Sequence, residues 1–279
     1  MGKITDIVDK KSLIVIIILL IIVFFGIIVA FNKGYLGKKE INQGTTPAKK
    51  ILETDIKDKS IISNLDMKVK YLNYYGKDAY YYTTNLYDKD LKVKELSKDE
   101  KLLMILYAAI STNNLESPSI SELQEVFPNH IIDNQLNYKF ITGSSIQNLY
   151  YQLFNDELLN RTPSINESPQ IVYSENHNGY YIYLTGGRTT NKEIFYYNYK
   201  YTEDEDNYYV YVSATAIDKD NQGKTNIYKS PLAKEVLETI EDATSFKIDD
   251  TNYNKYTKYK IAFYKSDTSS YFESIEELK

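Results

Sequence analysis

The run Leu13–Phe31, LIVIIILLIIVFFGIIVAF, holds 19 residues without a charge, an amide or a hydroxyl. As an α-helix rising ~1.5 Å per residue it extends roughly 28 Å, close to the ~30 Å hydrocarbon core of a bilayer. A helix packed in a soluble core would show a polar stripe, and a buried strand would be far shorter. In lipid every backbone N–H and C=O must be satisfied inside the segment, which a continuous helix achieves. Residues 13–31 are therefore expected to span a lipid bilayer. A cleaved signal peptide fits less well, because its apolar stretch is roughly 7–15 residues and ends at a small-x-small site. Here Val29-Ala30-Phe31 puts a bulky ring where a small residue is needed, and no Cys follows for a lipoprotein anchor. An uncleaved signal-anchor is predicted, with residues 1–12 as a cytoplasmic tail.

The flanking charges point weakly the other way. Lys3, Lys10 and Lys11 precede the segment, while Lys33, Lys38, Lys39, Lys49 and Lys50 follow it. Basic residues alone favour a cytoplasmic C-terminal side, but long domains translocate largely regardless of flanking charge. The short N-terminal tail and the acidic body, with 25 basic against 35 acidic groups over residues 51–279, favour export. The large domain is expected outside the cytoplasm.

The absence of Cys excludes disulfide frameworks, zinc knuckles, thiol catalysis and thiolate-held clusters. His130 and His177 are the only histidines, which leaves little for an imidazole metal cage, and no cofactor or metal is expected. Only Arg161 and Arg188 among 33 basic residues are Arg, Trp is absent and Tyr numbers 29. That mixture suits an A+T-rich genome such as that of a low-GC Gram-positive bacterium. Nucleic acid is not an expected partner, because an acidic, Arg-poor domain repels phosphates.

Residues 32–59 carry Gly34, Gly37, Gly44 and Pro47 among Lys, Thr and Asn, the composition of a flexible linker. From Ser60 to Lys279 the apolar content rises and stays up, so residues 60–279 are read as the extracytoplasmic domain. Ser60 can cap a helix with apolar positions Ile61, Leu65, Val69 and Leu72. Ser97-Lys98-Asp99-Glu100 is a capping box ahead of the stripe Leu102, Leu103, Leu106, Ala109, Ile110. Ser119 or Ser121 opens a short helix that Pro128 stops, and Ser144 or Ser145 opens another through Phe154. Between these two, residues 135–141 alternate like a strand.

Strand patterns dominate the second half. Residues 171–173 and 180–184 flank Asn176-His177-Asn178-Gly179, whose Asn-Gly pair suits a tight hairpin. Residues 194–201 and 208–216 flank the acidic turn Glu203–Asp206, and residues 259–264 pair with 271–275. A short strand is expected around Ile227. Ser230-Pro231 resembles a cap followed by proline at the first helical position, and predicts a helix through Val236 and Ile240. Helices first and antiparallel strands afterwards define an α+β class, helices packed on a curved, mostly antiparallel sheet.

The capped helix SKDEKLLMILYAAI, the shorter ISELQEVF, the paired Tyr-rich strands and the closing YKIAFYKSDTSSYFESIEELK resemble a group of uncharacterised single-pass membrane-anchored proteins of low-GC Gram-positive bacteria. The resemblance covers roughly residues 60–279 and carries no activity over. The order of elements is also similar to cystatin-like and nuclear-transport-factor-like α+β folds, which host enzymes and binding modules alike.

Alternate strand residues face opposite sides, so Ile182 with Leu184 and Val210 with Val212 define an aliphatic face. The opposite face then carries Tyr181 and Tyr183, and Tyr209 and Tyr211. In the neighbouring strand Tyr197, Tyr199 and Tyr201 line one face. Tyr181, Tyr183, Tyr197, Tyr199, Tyr209 and Tyr211 are the candidate ligand-binding residues, since Tyr offers rigid apolar area with a polar tip. The competing reading is that these Tyr pairs only stabilise a half-exposed sheet. Asp218 to Gly223 imitates the opening of a calcium loop, but position twelve is Lys229 where a bidentate Glu belongs, which leaves a hairpin loop as the simpler reading. Gly186-Gly187-Arg188 is too short for a phosphate cradle. No catalytic residue is singled out. The expected function is a membrane-tethered binding module for an envelope protein or wall glycan. A carboxylate-dependent envelope hydrolase, or a sensor subunit signalling through the membrane helix, are the alternatives.

Overall fold

A computed structural model describes residues 52–73, 86–87, 90–111, 115–163, 170–183, 192–241, 243–244 and 246–279. The segment 13–31, the tail 1–12, the linker up to residue 51, Leu184 and Gly186-Gly187-Arg188 lie outside the described residues. Among the described residues no helix is long and apolar enough to cross a membrane.

Local signals place the helices. In α1 (Lys59–Leu72) the cap is Asp58 rather than Ser60, its carboxylate accepting from the Ser60 N–H at 2.8 Å. The Ser97–Glu100 capping box opens α2 (Lys98–Ser111). Residues Leu102 to Ala109 of α2 are all buried, as befits a helix apolar on every side. A second capping box, Ser119 with Glu122, opens α3 (Ile120–Val126), which stops ahead of Pro128. Thr142 caps α4 (Gly143–Phe154), one position upstream of the first helical residue and two ahead of the expected Ser144.

The chain is α+β, with two antiparallel sheets among the described residues. The larger, eight-stranded sheet runs β1 (Thr54–Asp55), β6 (Glu193–Glu203), β7 (Asn207–Lys219), β10 (Thr257–Lys265), β11 (Ser270–Leu278) and β2 (Leu91–Lys92). Off the far end of β7, β8 (Thr225–Tyr228) pairs with it and β9 (Val236–Ile240) pairs with β8. The smaller sheet has the order β3 (Tyr138–Thr142), β5 (Gly179–Tyr183), β4 (Gln170–Ser174). One face of the large sheet, carrying Ile194, Val210, Val212, Tyr259, Ile261 and Phe263, packs on α1, α2 and α4 in a single apolar cluster. The small sheet gives Ile141, Ile171, Tyr180 and Ile182 to the same cluster and turns its other face to α3.

Two expectations are overturned here. The helix predicted from Ser230 is the edge strand β9: the chain turns at Ala233, which has φ 52° and donates its N–H to the Ser230 carbonyl at 3.1 Å. Residues 236–240 are nearly all exposed, so no apolar stripe exists to hold a helix against the body. The end of the expected linker is also part of the fold. Thr54 and Asp55 pair with Glu203 and Thr202, and Ile56 is buried.

Candidate functional site

The six candidate tyrosines do not share one surface. Tyr181 and Tyr183 belong to β5 of the small sheet and face α3. Tyr181 is 1% exposed, and its hydroxyl meets His177 Nδ1 at 2.7 Å. Tyr183 stacks on Tyr138 with centroids 4.5 Å apart and planes 15° apart. Both are packing residues of the β-sheet–α3 layer, together with Leu123 and Phe127. His130 stacks on Phe127 at 4.9 Å in the same layer.

The remaining four lie on the outer face of the large sheet, away from α1, α2 and α4. Antiparallel partners share a face, and Tyr197 opposes Ser213, Lys200 opposes Tyr211 and Thr202 opposes Tyr209. The register shifts between Asn198 and Lys200, leaving Tyr199 as the extra residue of a β-bulge. The bulge changes parity, so Tyr201 is not beside Tyr197 and Tyr199 as the alternation suggests. It opposes Val210 on the helix-packed face, and its hydroxyl donates to Asp66 of α1 at 2.5 Å.

At one end of the outer face Tyr199 stacks on Tyr253 at 4.8 Å and 26°. Tyr211 approaches Tyr199, and Tyr197 approaches Tyr253, each at 6.1 Å. The Lys258 ammonium lies 5.4 Å from the Tyr253 ring and 5.9 Å from the Tyr199 ring, an arrangement that attracts the cation to the ring faces. Tyr253 is supplied by the segment after β9, and the Ser213 hydroxyl anchors that segment by donating to the Tyr253 carbonyl at 2.7 Å. Tyr197, Tyr199, Tyr211 and Tyr253 are each half-buried. Tyr209 is buried, its hydroxyl donating to Asp204 at 2.6 Å.

Next to Tyr211 sits a polar cluster that sequence reasoning missed, because its centre falls in the expected linker. Glu53 accepts from Tyr211 at 2.6 Å, from Thr202 at 2.5 Å and from Lys260 Nζ at 2.8 Å. Lys260 also lies 3.8 Å from the Tyr209 ring centroid. Burial raises the Glu53 carboxyl, but the hydrogen bonds from Lys260, Thr202 and Tyr211 and the Lys260 charge outweigh it and hold it below its ordinary value. Burial, then the hydrogen bond to Glu53, pushes Tyr211 up to about 12. The outer face therefore offers half-exposed phenol rings, a cation over them and neutral hydroxyls at pH 7.

The loop that imitates a calcium site is occupied by its own bonds. Asp220 accepts from the backbone N–H of Gln222 and Lys224 at 2.8 and 2.9 Å, Asp218 accepts from Tyr228 at 2.8 Å, and Lys229 pairs with Glu235 at 3.5 Å.

A second feature lies at the other end of α1. Lys68 is 2% exposed although it stands in the Leu65–Leu72 apolar stripe, a visible signal that passes for a solvated charge when only apolar positions are counted. Its ammonium donates to the Ser270 carbonyl and lies 3.4 Å from both Ser269 Oγ and Ser270 Oγ.

No protein-family model matches the chain, and neither does any curated protein or solved structure.

Proposed function

We propose that this protein is a membrane-tethered extracytoplasmic module that binds an envelope glycan through the outer face of its large sheet. In this reading residues 13–31 span the bilayer as a signal-anchor and the body beyond residue 52 is held outside the cytoplasm. The observation that carries the binding part is the stacked Tyr199–Tyr253 pair flanked by Tyr197 and Tyr211. Half-exposed rings held in fixed contact keep little rotamer freedom to lose on binding, and pyranose C–H faces stack on such rings. The nearby Lys258 and the exposed Lys200 supply donors to sugar hydroxyls. The role assigned to Tyr181 and Tyr183 is structural: they hold α3 on the small sheet.

The test is co-sedimentation of the full-length protein, in detergent, with purified cell-wall polysaccharide. Replacing Tyr199 and Tyr211 together by Ala is expected to weaken binding about tenfold or more, as loss of central aromatic anchors does. Tyr183→Ala is expected to lower the melting temperature instead. Equal sedimentation of wild type and the Tyr199/Tyr211 variant overturns the reading. Protease treatment of intact cells checks sidedness: an exported body is digested, and a protected one sinks that part of the proposal.

A further inference from the structure

A cavity of about 350 Å³ opens between the first turns of α1 and the β10–β11 hairpin, lined by Ser60, Asn64, Tyr208, Thr268, Ser269 and Ser270. Lys68 lies behind the Ser269–Ser270 wall. Asn64 and Lys68 are four residues apart and so lie on one side of α1, the side turned to the hairpin. Among the described residues no carboxylate pairs with Lys68, and burial alone acts on its ammonium, drawing it down from 10.5 to about 8. Its neighbours are neutral or distant: the Tyr271 ring is 5.3 Å from Nζ, and Tyr264 and Tyr151 lie beyond that ring. Tyr208 and Asp267 face the cavity from its other walls. Lys265 is neutralised by Glu203 at 2.7 Å, and Asp66 is held by Tyr201 and Asn198.

We propose that Ser269 and Lys68 form a nucleophile–base dyad that hydrolyses a short-chain carboxylic ester seated in this cavity. The arrangement has the parts such chemistry needs: a half-buried hydroxyl on the cavity wall, and a base sheltered behind it. A neutral Lys68 amine donates one N–H to the Ser270 carbonyl, which fixes its direction, and keeps its lone pair for the Ser269 proton. The 3.4 Å separation is at the long end of hydrogen-bond reach, and nucleophile–base contacts of this kind tighten when substrate binds. Ser270 is a weaker candidate nucleophile, since it is buried within β11 and its own carbonyl orients the base. In the first half-reaction Lys68 takes the Ser269 proton as Oγ bonds to the acyl carbon, and the carbonyl π pair moves onto oxygen. The Asn64 carboxamide, on the α1 wall that faces Ser269, is a donor for that oxyanion. Collapse breaks the ester C–O bond, and Lys68 returns its proton to the departing alkoxide. Water then attacks the acyl-serine, Lys68 accepts its proton, and the proton passes to Ser269 Oγ as the carboxylic acid leaves. Ester and water give acid and alcohol with no other reactant. The site is remote from the tyrosine face, so neither proposal depends on the other.

The experiment treats full-length protein in detergent with a fluorophosphonate probe and with p-nitrophenyl acetate, and locates the adduct by peptide mass spectrometry. Label is expected on Ser269, with a rate that climbs with pH through a midpoint near 8. Ser269→Ala should remove the label. Lys68→Met, which fills the buried space with an apolar chain of similar length, should retain the melting transition while labelling falls about 100-fold or more. Absence of label on Ser269 at pH 9, or equal labelling in folded Lys68→Met protein, overturns the proposal.

Discussion

Tyr201 and Asp66 are joined by a 2.5 Å hydrogen bond from the phenol to the carboxylate, which ties β6 to α1 across the main apolar layer. Asn198 donates to the same carboxylate oxygen at 2.7 Å. The bulge at Tyr199 makes this possible, because it turns Asn198 and Tyr201 to the helix side while Tyr197 and Lys200 face outward. A hydrogen bond to a charged acceptor contributes about 1.5–3 kcal/mol, so Tyr201→Phe should destabilise by that order in urea unfolding. Asp66→Ala should be worse, because it leaves the Tyr201 hydroxyl and the Asn198 amide unpaired. The double variant should fall short of the sum of the singles, and simple additivity would show that the two groups do not act as a unit.

Glu53 gathers Tyr211, Thr202 and Lys260 at the centre of the outer face. Replacing it by Gln removes the charge that these donors share and should cost about 1–3 kcal/mol at pH 7. The pH dependence has a definite sign. A carboxyl whose folded value is lowered stabilises above its unfolded value, near 4.5 here, and loses that contribution as pH falls through the folded value. The stability gap between wild type and Glu53→Gln should therefore narrow below pH 4.5. Urea midpoints at pH 7 and pH 3.5, at constant ionic strength, measure it.

Gly179 follows Asn178, which sits at φ 46° in the turn between β4 and β5. A Cβ on Gly179 would meet the Phe140 ring at 2.4 Å and the Ile141 carbonyl at 2.7 Å. The carbonyl belongs to the β3–β5 ladder and cannot yield. Gly179→Ala is expected to destabilise by about 1–3 kcal/mol, the usual penalty of overpacking. Near-ultraviolet circular dichroism should also change, since Phe140 lies against Tyr181. A variant as stable as wild type would mean that β3 and β5 separate more easily than their register implies.

Signals that are local in sequence were readable, and those that depend on pairing were not. The capping box at Ser97–Glu100, the helix start at Ser119, the Asn-Gly hairpin and the stop at Pro128 each act within a few residues, and each lies where the sequence places it. Sheet membership is different. The acidic turn announces the β6–β7 hairpin, but Tyr181 alternates as convincingly as Tyr211, and nothing in either strand says that β5 pairs with β3 while β7 pairs with β10. The bulge at Tyr199 has no Gly to mark it, and Asn198 beside it pairs as an ordinary strand residue, so strict alternation puts Tyr201 on the wrong face. Ser230-Pro231 carries a true helix-start pattern, but the chain reverses at Ala233 and β8 captures the segment that follows. Glu53 was hidden by the Gly- and Lys-rich composition upstream of it, which continues into a strand of only two residues. In the candidate sites the rings on β6 and β7 were legible. Their partner Tyr253 and the Lys68–Ser269 contact, 201 residues apart, were not.

Buried phenols should set the alkaline limit of this fold. Burial pushes Tyr150, Tyr180, Tyr181 and Tyr211 each up to about 12, and raises Tyr201, Tyr209 and Tyr259 further still. An acid raised in the folded state stays protonated there while its unfolded counterpart ionises near pH 10, so between those values the unfolded chain binds fewer protons. Stability then falls as pH rises, with full stability below pH 10 and progressive loss above it. Because several phenols act in the same direction, unfolding should be cooperative. Absorbance at about 295 nm, which follows phenolate, should show the buried phenols ionising in one steep step above pH 10 that coincides with loss of far-ultraviolet circular dichroism. A single smooth titration of all 29 tyrosines near pH 10, with the ellipticity unchanged, would mean that the interior phenols are open to water.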